Sequence, residues 1–213
     1  MRQFDSLQVP IIITSYSGSN FNKLFTIDPI KLLKAVKAND LKIIESLVDN
    51  LWLEYFNYLM ENPVFTTIFG HNLGSFDGFF LYKALLKLLN KDQVKALIDT
   101  KNSFISITYE NAPRGGKKFI WKDSYRIFPV SLKDLCKNFN VIGKTSDYNE
   151  EFNDISVFNK SSLLAKFLEY SKQDSKGLFD ALLTAQDLYF NEHKVDITSI
   201  FSTSTLSLKI FRT

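Results

Sequence analysis

A mixed sheet with helices on its faces is the fold class that this sequence predicts. Three observations carry the prediction. Short β-branched and aromatic runs recur along the chain, as at residues 9–16 (VPIIITSY) and 104–109 (FISITY). Longer segments between them carry apolar residues at helical spacing. Caps and breakers separate the two kinds, as at Asp28-Pro29 and Asn62-Pro63. Strands outside the helices, with a central strand between helices, make a mixed α/β layer architecture.

The elements follow in order. Residues 9–16 read as a strand, Ser17 to Asn20 as a turn, and residues 23–27 (KLFTI) as the returning strand of a hairpin. Asp28 caps a helix that has Pro29 at its first position and Ile30, Leu33 and Val36 on its apolar stripe. After Asn39-Asp40 a second helix sets Leu41, Ile44, Leu47, Val48, Leu51, Tyr55 and Leu59 on one face. Residues 64–69 form a buried central strand, and residues 79–89 an amphipathic helix after it. Residues 90–99 are short and mixed in pattern. Residues 104–109 and 118–123 (KFIWKD) form a second hairpin around a loop containing Pro113 and Gly115-Gly116. Residues 131–139 are a helix with Leu132, Leu135, Cys136 and Phe139 inward. Residues 143–159 read as an irregular loop. Residues 161–170 and 175–192 read as helices with a join near Asp174, and the tail from Val195 holds a short helix at most. No internal repeat or linker appears, so residues 1–213 are expected to form a single domain.

Composition excludes several classes. The net charge of +3 is too mild to imply nucleic acid by itself. A single cysteine, Cys136, rules out an internal disulfide framework and a zinc knuckle, and its apolar setting makes it a core thiol. No apolar run reaches the roughly 18 residues of a membrane helix, and no secretory or transit signal opens the chain, so no membrane partner is expected. The 20 Phe and 9 Tyr leave rings to spare for base stacking. Phe, Asn, Lys, Ile and Tyr have AT-rich codons, which points to an AT-rich genome.

Three stretches can carry chemistry. Residues 71–80 (HNLGSFDGFF) lie between a strand and a helix. Asp77 there is open to two readings, a helix cap (shared with Ser75) or a carboxylate that holds a metal. Residues 170–174 (YSKQD) put Tyr170 and Asp174 four apart on one helical face. If that face meets Asp77, two carboxylates and a phenol converge, a set that can share divalent ions and orient a water. Otherwise the pair is a solvated Tyr and Asp. Residues 131–135 (SLKDL) open a helix, with Ser131 as cap and Asp134 at the third position. Such an N-terminus can also touch a phosphate. The two histidines, His71 and His193, make no HExxH, and no P-loop, dinucleotide fingerprint or nucleophile elbow occurs.

In this order and spacing the three stretches resemble the exonuclease region of family B DNA polymerases. The similarity is greatest to the protein-primed enzymes of linear plasmids, mitochondria and some phages. HNLGSFDGFFL looks like the second exonuclease motif, SLKDL like the (S/T)Lxxh motif, and YSKQD like the third motif, YxxxD. DSYRIFPVSLKDLCKNFNV and LSLKIFRT resemble the plasmid and mitochondrial branch. The resemblance implies a ribonuclease H-like fold with an inserted β-hairpin and 3′–5′ exonuclease chemistry. It makes Asp77 and Asp174 metal-holding carboxylates for Mg²⁺ or Mn²⁺, and Tyr170 the residue that orients the attacking water. It makes His71, Asn72, Phe76, Ser131 and Leu132 contacts to a single-stranded DNA 3′ end, and Lys144 a phosphate-stabilising lysine. It also implies a mitochondrial location.

Two departures qualify that reading. The family's first motif, DxE, belongs just ahead of Gln8 to Pro10, where only Asp5 stands. No DTDS-like pair of polymerase carboxylates is present. The expectation is therefore an exonuclease domain lacking its first strand, a fragment whose partner is the rest of the polymerase if that is encoded separately, and an incomplete two-metal site. Losing a well-placed ion costs several kcal/mol of transition-state stabilisation, on the order of a thousandfold in rate. The alternatives are a non-catalytic single-strand-binding remnant, a free-standing exonuclease and a decayed frame.

Overall fold

The computed structural model describes residues 8–18, 22–62, 66–111, 116–143 and 149–213. Strands β1 (Ile12–Tyr16) and β2 (Asn22–Thr26) form an antiparallel hairpin that is a sheet of its own. Helix α1 (Pro29–Lys37) follows, with Asp28 Oδ1 accepting from the Ile30 and Lys31 amides, as its sequence predicts. Helix α2 (Leu41–Glu61) is capped by Asp40. Its buried stripe is wider than the sequence reading. Trp52, Phe56 and Tyr58 join it, while Leu41 in the first turn is 56% exposed, beyond the reach of the core.

The main sheet has four strands in the order β3 (Thr67–Gly70), β6 (Lys118–Asp123), β5 (Phe104–Glu110), β4 (Val94–Ile98). Strands β3 and β6 are parallel and the other pairs antiparallel, so the sheet is mixed. With helices around it, this is the α/β, ribonuclease H-like class expected.

Two strand readings need correction. The strand after α2, expected to be central, lies at an edge and is paired only with β6 among the described residues. Residues 90–99, expected to be without clear pattern, hold a 3-10 turn (Lys91–Gln93) and the opposite edge strand β4. An edge strand buries little, which is why Leu97 and Ile98 are exposed and no clean alternation marks it.

The two sheet faces follow from the period of two along a strand. Ile107, Phe119 and Trp121 face α2 and helix α3 (Asp77–Leu88) in the main core. Trp121 Nε1 donates to the Tyr55 hydroxyl at 3.1 Å, and burial pushes that phenol up to about 12. Lys122, next after Trp121 in sequence, is buried on the opposite side, where its ammonium donates to the Thr198 carbonyl and sits 3.8 Å from the Phe201 ring centroid. The tail, with a 3-10 turn (Ile197–Ser199) and helix α6 (Thr203–Phe211), covers that side.

Helix α4 (Leu132–Asn138) buries Leu135 and Cys136. The stretch expected to be an irregular loop contains two 3-10 turns, Glu150–Asn153 and Ile155–Asn159. Lys144 lies outside the described residues, as do Asp5, Pro63, Pro113 and Gly115. The expected join near Asp174 is not there. Helix α5 runs unbroken over Ser161–His193, because residues 170–175 contain no Pro or Gly to interrupt the backbone ladder.

Candidate functional site

A cavity of about 390 Å³ lies between β1, β3, α3, the start of α4, and α5. Ile12 and Thr14 of β1 line one wall, and Ile68 and Gly70 of β3 another. Each of these strands pairs with only one neighbour among the described residues, so both have an edge left open. Asp77, Tyr170 and Asp174 all line this cavity, together with His71 and Leu132. Three stretches spread over about half the sequence therefore contribute side chains to one cavity.

The local chain explains how Asp77 gets there. The turn between β3 and α3 is pinned at both ends. Asn72 holds φ of 63°, a left-handed conformation that Asn tolerates better than most residues. The Gly74 amide donates to Asp123 Oδ2 at 3.0 Å, and the Gly74 carbonyl accepts from the Phe104 amide at 3.2 Å. A Cβ at Gly74 would sit 2.3 Å from the Phe104 carbonyl oxygen, so only glycine fits against β5. Helix α3 then starts at Asp77, two residues earlier than its apolar pattern. Its cap position is Phe76, with no side-chain cap bond. The cap reading of Ser75 or Asp77 is thereby excluded. Asp77 occupies the first helical position, where the helix dipole favours a carboxylate. Burial nevertheless raises its pKa. A partly desolvated carboxylate at a cavity wall is the kind of group that a cation would relieve.

Helix α5 supplies the other acid. Thr14 donates its hydroxyl to the Ser171 carbonyl at 3.1 Å and accepts from the Ser175 hydroxyl. This latch seats α5 on β1 with the Tyr170–Asp174 face toward the cavity. The Tyr170 ring packs on Phe152 at 5.9 Å between centroids. Gln173 Nε2 donates to the carbonyls of Ile142 and Gly143, the last described residues before Lys144.

His71 is engaged within the protein at both ring nitrogens. Nε2 donates to the Val130 carbonyl at 2.8 Å, and Nδ1 lies 3.0 Å from the Ser124 hydroxyl. Burial lowers its pKa, partly opposed by the Val130 bond and the Asp123 charge. His71 thus ties the turn to the entrance of α4. At that entrance Ser131 caps the helix, accepting from the Asp134 amide at 3.1 Å and donating to its carboxylate at 2.7 Å. Leu132 beside it reaches the cavity, whereas Ser131, Asn72 and Phe76 stand outside its lining. Phe76 is 48% exposed and packs edge-on against Phe80, which does line the cavity.

Four contributors escaped the sequence reading. Phe80 is a cavity wall that its helical pattern presents as ordinary core. Thr14 and Ser175 sit in strand and helix patterns that show no sign of a mutual latch. Asp123 is 4% exposed and accepts from both Gly74 and Tyr125 amides. A carboxylate ending an apolar strand was its one available signal.

Residues 59–159 match the family model described as DNA polymerase type B, organellar and viral. The chain is 27% identical over 203 residues to a probable DNA polymerase of Agaricus bitorquis, covering 78% of this chain and 25% of that protein. It is also 27% identical over 184 residues to a probable DNA polymerase of Ascobolus immersus, covering 67% and 15%. The chain thus spans a quarter or less of the curated relatives it matches. Phi29 DNA polymerase complexed with single-stranded DNA is similar in structure, with a TM-score of 0.52 and 20% identity over 74% of this chain and 27% of that one. Its ternary complex with primer-template DNA and incoming nucleotides superposes with a TM-score of 0.54 at 19% identity, covering 75% and 28%. At such identities these structures speak for the fold.

Proposed function

Since this chain is related to the organellar and viral type B DNA polymerases, and matches only part of their length, we propose that it is the 3′–5′ exonuclease region of such an enzyme. It acts on single-stranded 3′ ends. The observation that carries this reading is the convergence of Asp77, Asp174 and Tyr170 on one cavity.

The residues present fit one divalent ion. Mg²⁺ usually keeps several waters and takes one or two carboxylates plus substrate phosphate. Asp77 and Asp174 can supply those carboxylates, and the desolvation of Asp77 favours a cation beside it. A second ion finds less support: among the described residues no group of three or more His, Cys, Asp or Glu is arranged to hold a metal. When bound, the ion supplies charge neutralisation on the phosphate and a more acidic water. The chain does the rest. Tyr170 orients the water from the same helical face as Asp174. Phe76, Asn72, Ser131 and Leu132 hold the last nucleotides, with His71 supporting the turn; Lys144, expected to stabilise a phosphate, lies outside the described residues. Hydrolysis by this set alone is slow, on the order of a thousandfold below a complete two-ion site. We further place residues 1–213 in one domain, and assign a mitochondrial, linear-plasmid setting from the AT-rich composition and family branch.

The test uses the purified chain with 3′-labelled single-stranded DNA and Mg²⁺ or Mn²⁺. Slow trimming that disappears in both Asp77→Ala and Asp174→Ala is the expected result. Binding that is indifferent to metal, with no trimming at any ion concentration, would instead establish the second reading, a non-catalytic single-strand-binding module. That reading draws on the lack of a third acid among the described residues. Absence of binding would overturn both. Organelle fractionation tests the location.

A further inference from the structure

The turn that presents Asp77 has a second side. Gly74 and Ser75 line an open groove of about 660 Å³ that the exonuclease reading does not use. Its walls come from the start of α3, the turn joining β4 to β5, and the 3-10 turn after β6 (Ser124–Arg126). Two rings stand in it with much of their surface in solvent: Phe79 is 50% and Tyr125 41% exposed. Neither is loose. Phe79 packs edge-on against Phe104 at 5.0 Å, and Tyr125 edge-on against His71 at 5.6 Å. Edge-on support at the inner rim holds an aromatic in place while leaving other surface for a ligand.

Cations accompany the rings. Lys101 and Arg126 both line the groove. Arg126 is held by Asp99 at 2.8 Å, and Asp99 by the amides of Lys101 and Ser103 at 2.8 and 2.9 Å. The Ser103 amide and then the Arg126 guanidinium hold the Asp99 carboxyl down at about 2, so the ion pair persists through the neutral range. A guanidinium has five N–H donors, and one ion pair leaves several for a phosphate.

Exposed rings interleaved with cations are the ordinary platform for single-stranded nucleic acid, with bases on rings and phosphates on cations. The turn also connects this groove to the cavity. Phe76 follows Ser75 in the groove wall and packs on Phe80 in the cavity wall. We propose that the Phe79–Tyr125 groove is a second single-strand subsite. It takes the nucleotides that follow, on the 5′ side, those held at the cavity, and the strand crosses the turn at Phe76. This rests on the reading of the cavity as a 3′-end site.

The experiment compares 5′-labelled dT4 and dT12 by fluorescence anisotropy in EDTA, using the full chain. The longer strand is expected to bind about tenfold or more tightly, the gain of one or two stacked bases. Phe79→Leu with Tyr125→Leu keeps apolar packing but removes the rings. It should bring dT12 down to the dT4 affinity and leave dT4 unchanged. Lys101→Gln should lessen the salt dependence for dT12 by roughly one phosphate contact, a slope change of about 0.7. In the unaltered chain, dT12 carrying 5-iodouracil five or six nucleotides from its 3′ end should photo-crosslink to Phe79 or Tyr125. A dT12 affinity untouched by the double substitution, or crosslinks that miss both rings, overturns the subsite while leaving the cavity reading standing. Binding of neither strand by the unaltered chain overturns the cavity reading, and the subsite with it.

Discussion

At the scale of single residues, the β3–α3 turn is where identity is most constrained. Gly74 has no room for a side chain against a backbone carbonyl of β5. Gly74→Ala is therefore expected to lose roughly 1–3 kcal/mol, as overpacking against an unyielding backbone does, read as a lower urea midpoint at unchanged slope. His71 gives a pH signature. Its folded pKa lies below the ordinary value because of burial. The unfolded chain, with a histidine near about 6.5, takes up the proton first. The stabilisation from holding His71 neutral is whole above that value and is lost as pH falls through it toward the folded pKa. Melting temperature should thus decline between about pH 7.5 and 5.5 more steeply in the natural chain than in His71→Gln. Parallel curves would remove His71 from the account.

At the scale of elements, helix α3 breaks a local rule. Ser, Thr, Asp and Asn lead at the cap position, yet Phe76 holds it without a side-chain bond. Its ring is half exposed and contributes packing on one side alone. Local rules tend to be broken at functional sites. Phe76→Ser should leave stability level or raise it by up to about 1 kcal/mol. It should also weaken single-stranded DNA binding by roughly fivefold or more, the loss of one stacking surface. Thermal melts and anisotropy titrations of the same preparation check the two halves. Helix α5 runs without a break from Ser161 to His193. Its uninterrupted run means that the i, i+4 relation of Tyr170 and Asp174 is a rigid one, and the Thr14 and Ser175 latch then decides which way that face looks.

At the scale of the whole molecule, the cavity is a place where the fold gives up some stability. Burial raises the pKa of Asp77. For an acid raised on folding, the ionised form costs stability once pH exceeds the unfolded pKa. Asp77→Asn should accordingly melt higher than the natural chain at pH 7 in EDTA. Adding Mg²⁺ or Mn²⁺ should raise the natural chain's melting point, by the equivalent of about 2.7 kcal/mol at a hundredfold excess over Kd, and leave Asp77→Asn unmoved. An equal metal response in both would exclude Asp77 as a ligand.

Much of this architecture was legible from the chain alone, for reasons that are local. The Asp28 cap, the α2 stripe, the β5–β6 hairpin and the capping box at Ser131 depend on residues within a few positions of one another. The motif residues could be named for the same reason, since Asp77, Tyr170 and Asp174 sit in short stretches with characteristic neighbours. What stayed hidden depends on distant partners. The edge position of β3, the strand β4, the unbroken α5 and the Asp123 clamp are each decided by which segment lies alongside, over separations that no local period records. The cavity is the extreme case. The short motifs named the side chains proposed to hold a metal or a strand end, but their meeting required β1 to seat α5 and β6 to anchor the turn. Long-range packing, not local preference, decided that they share one site.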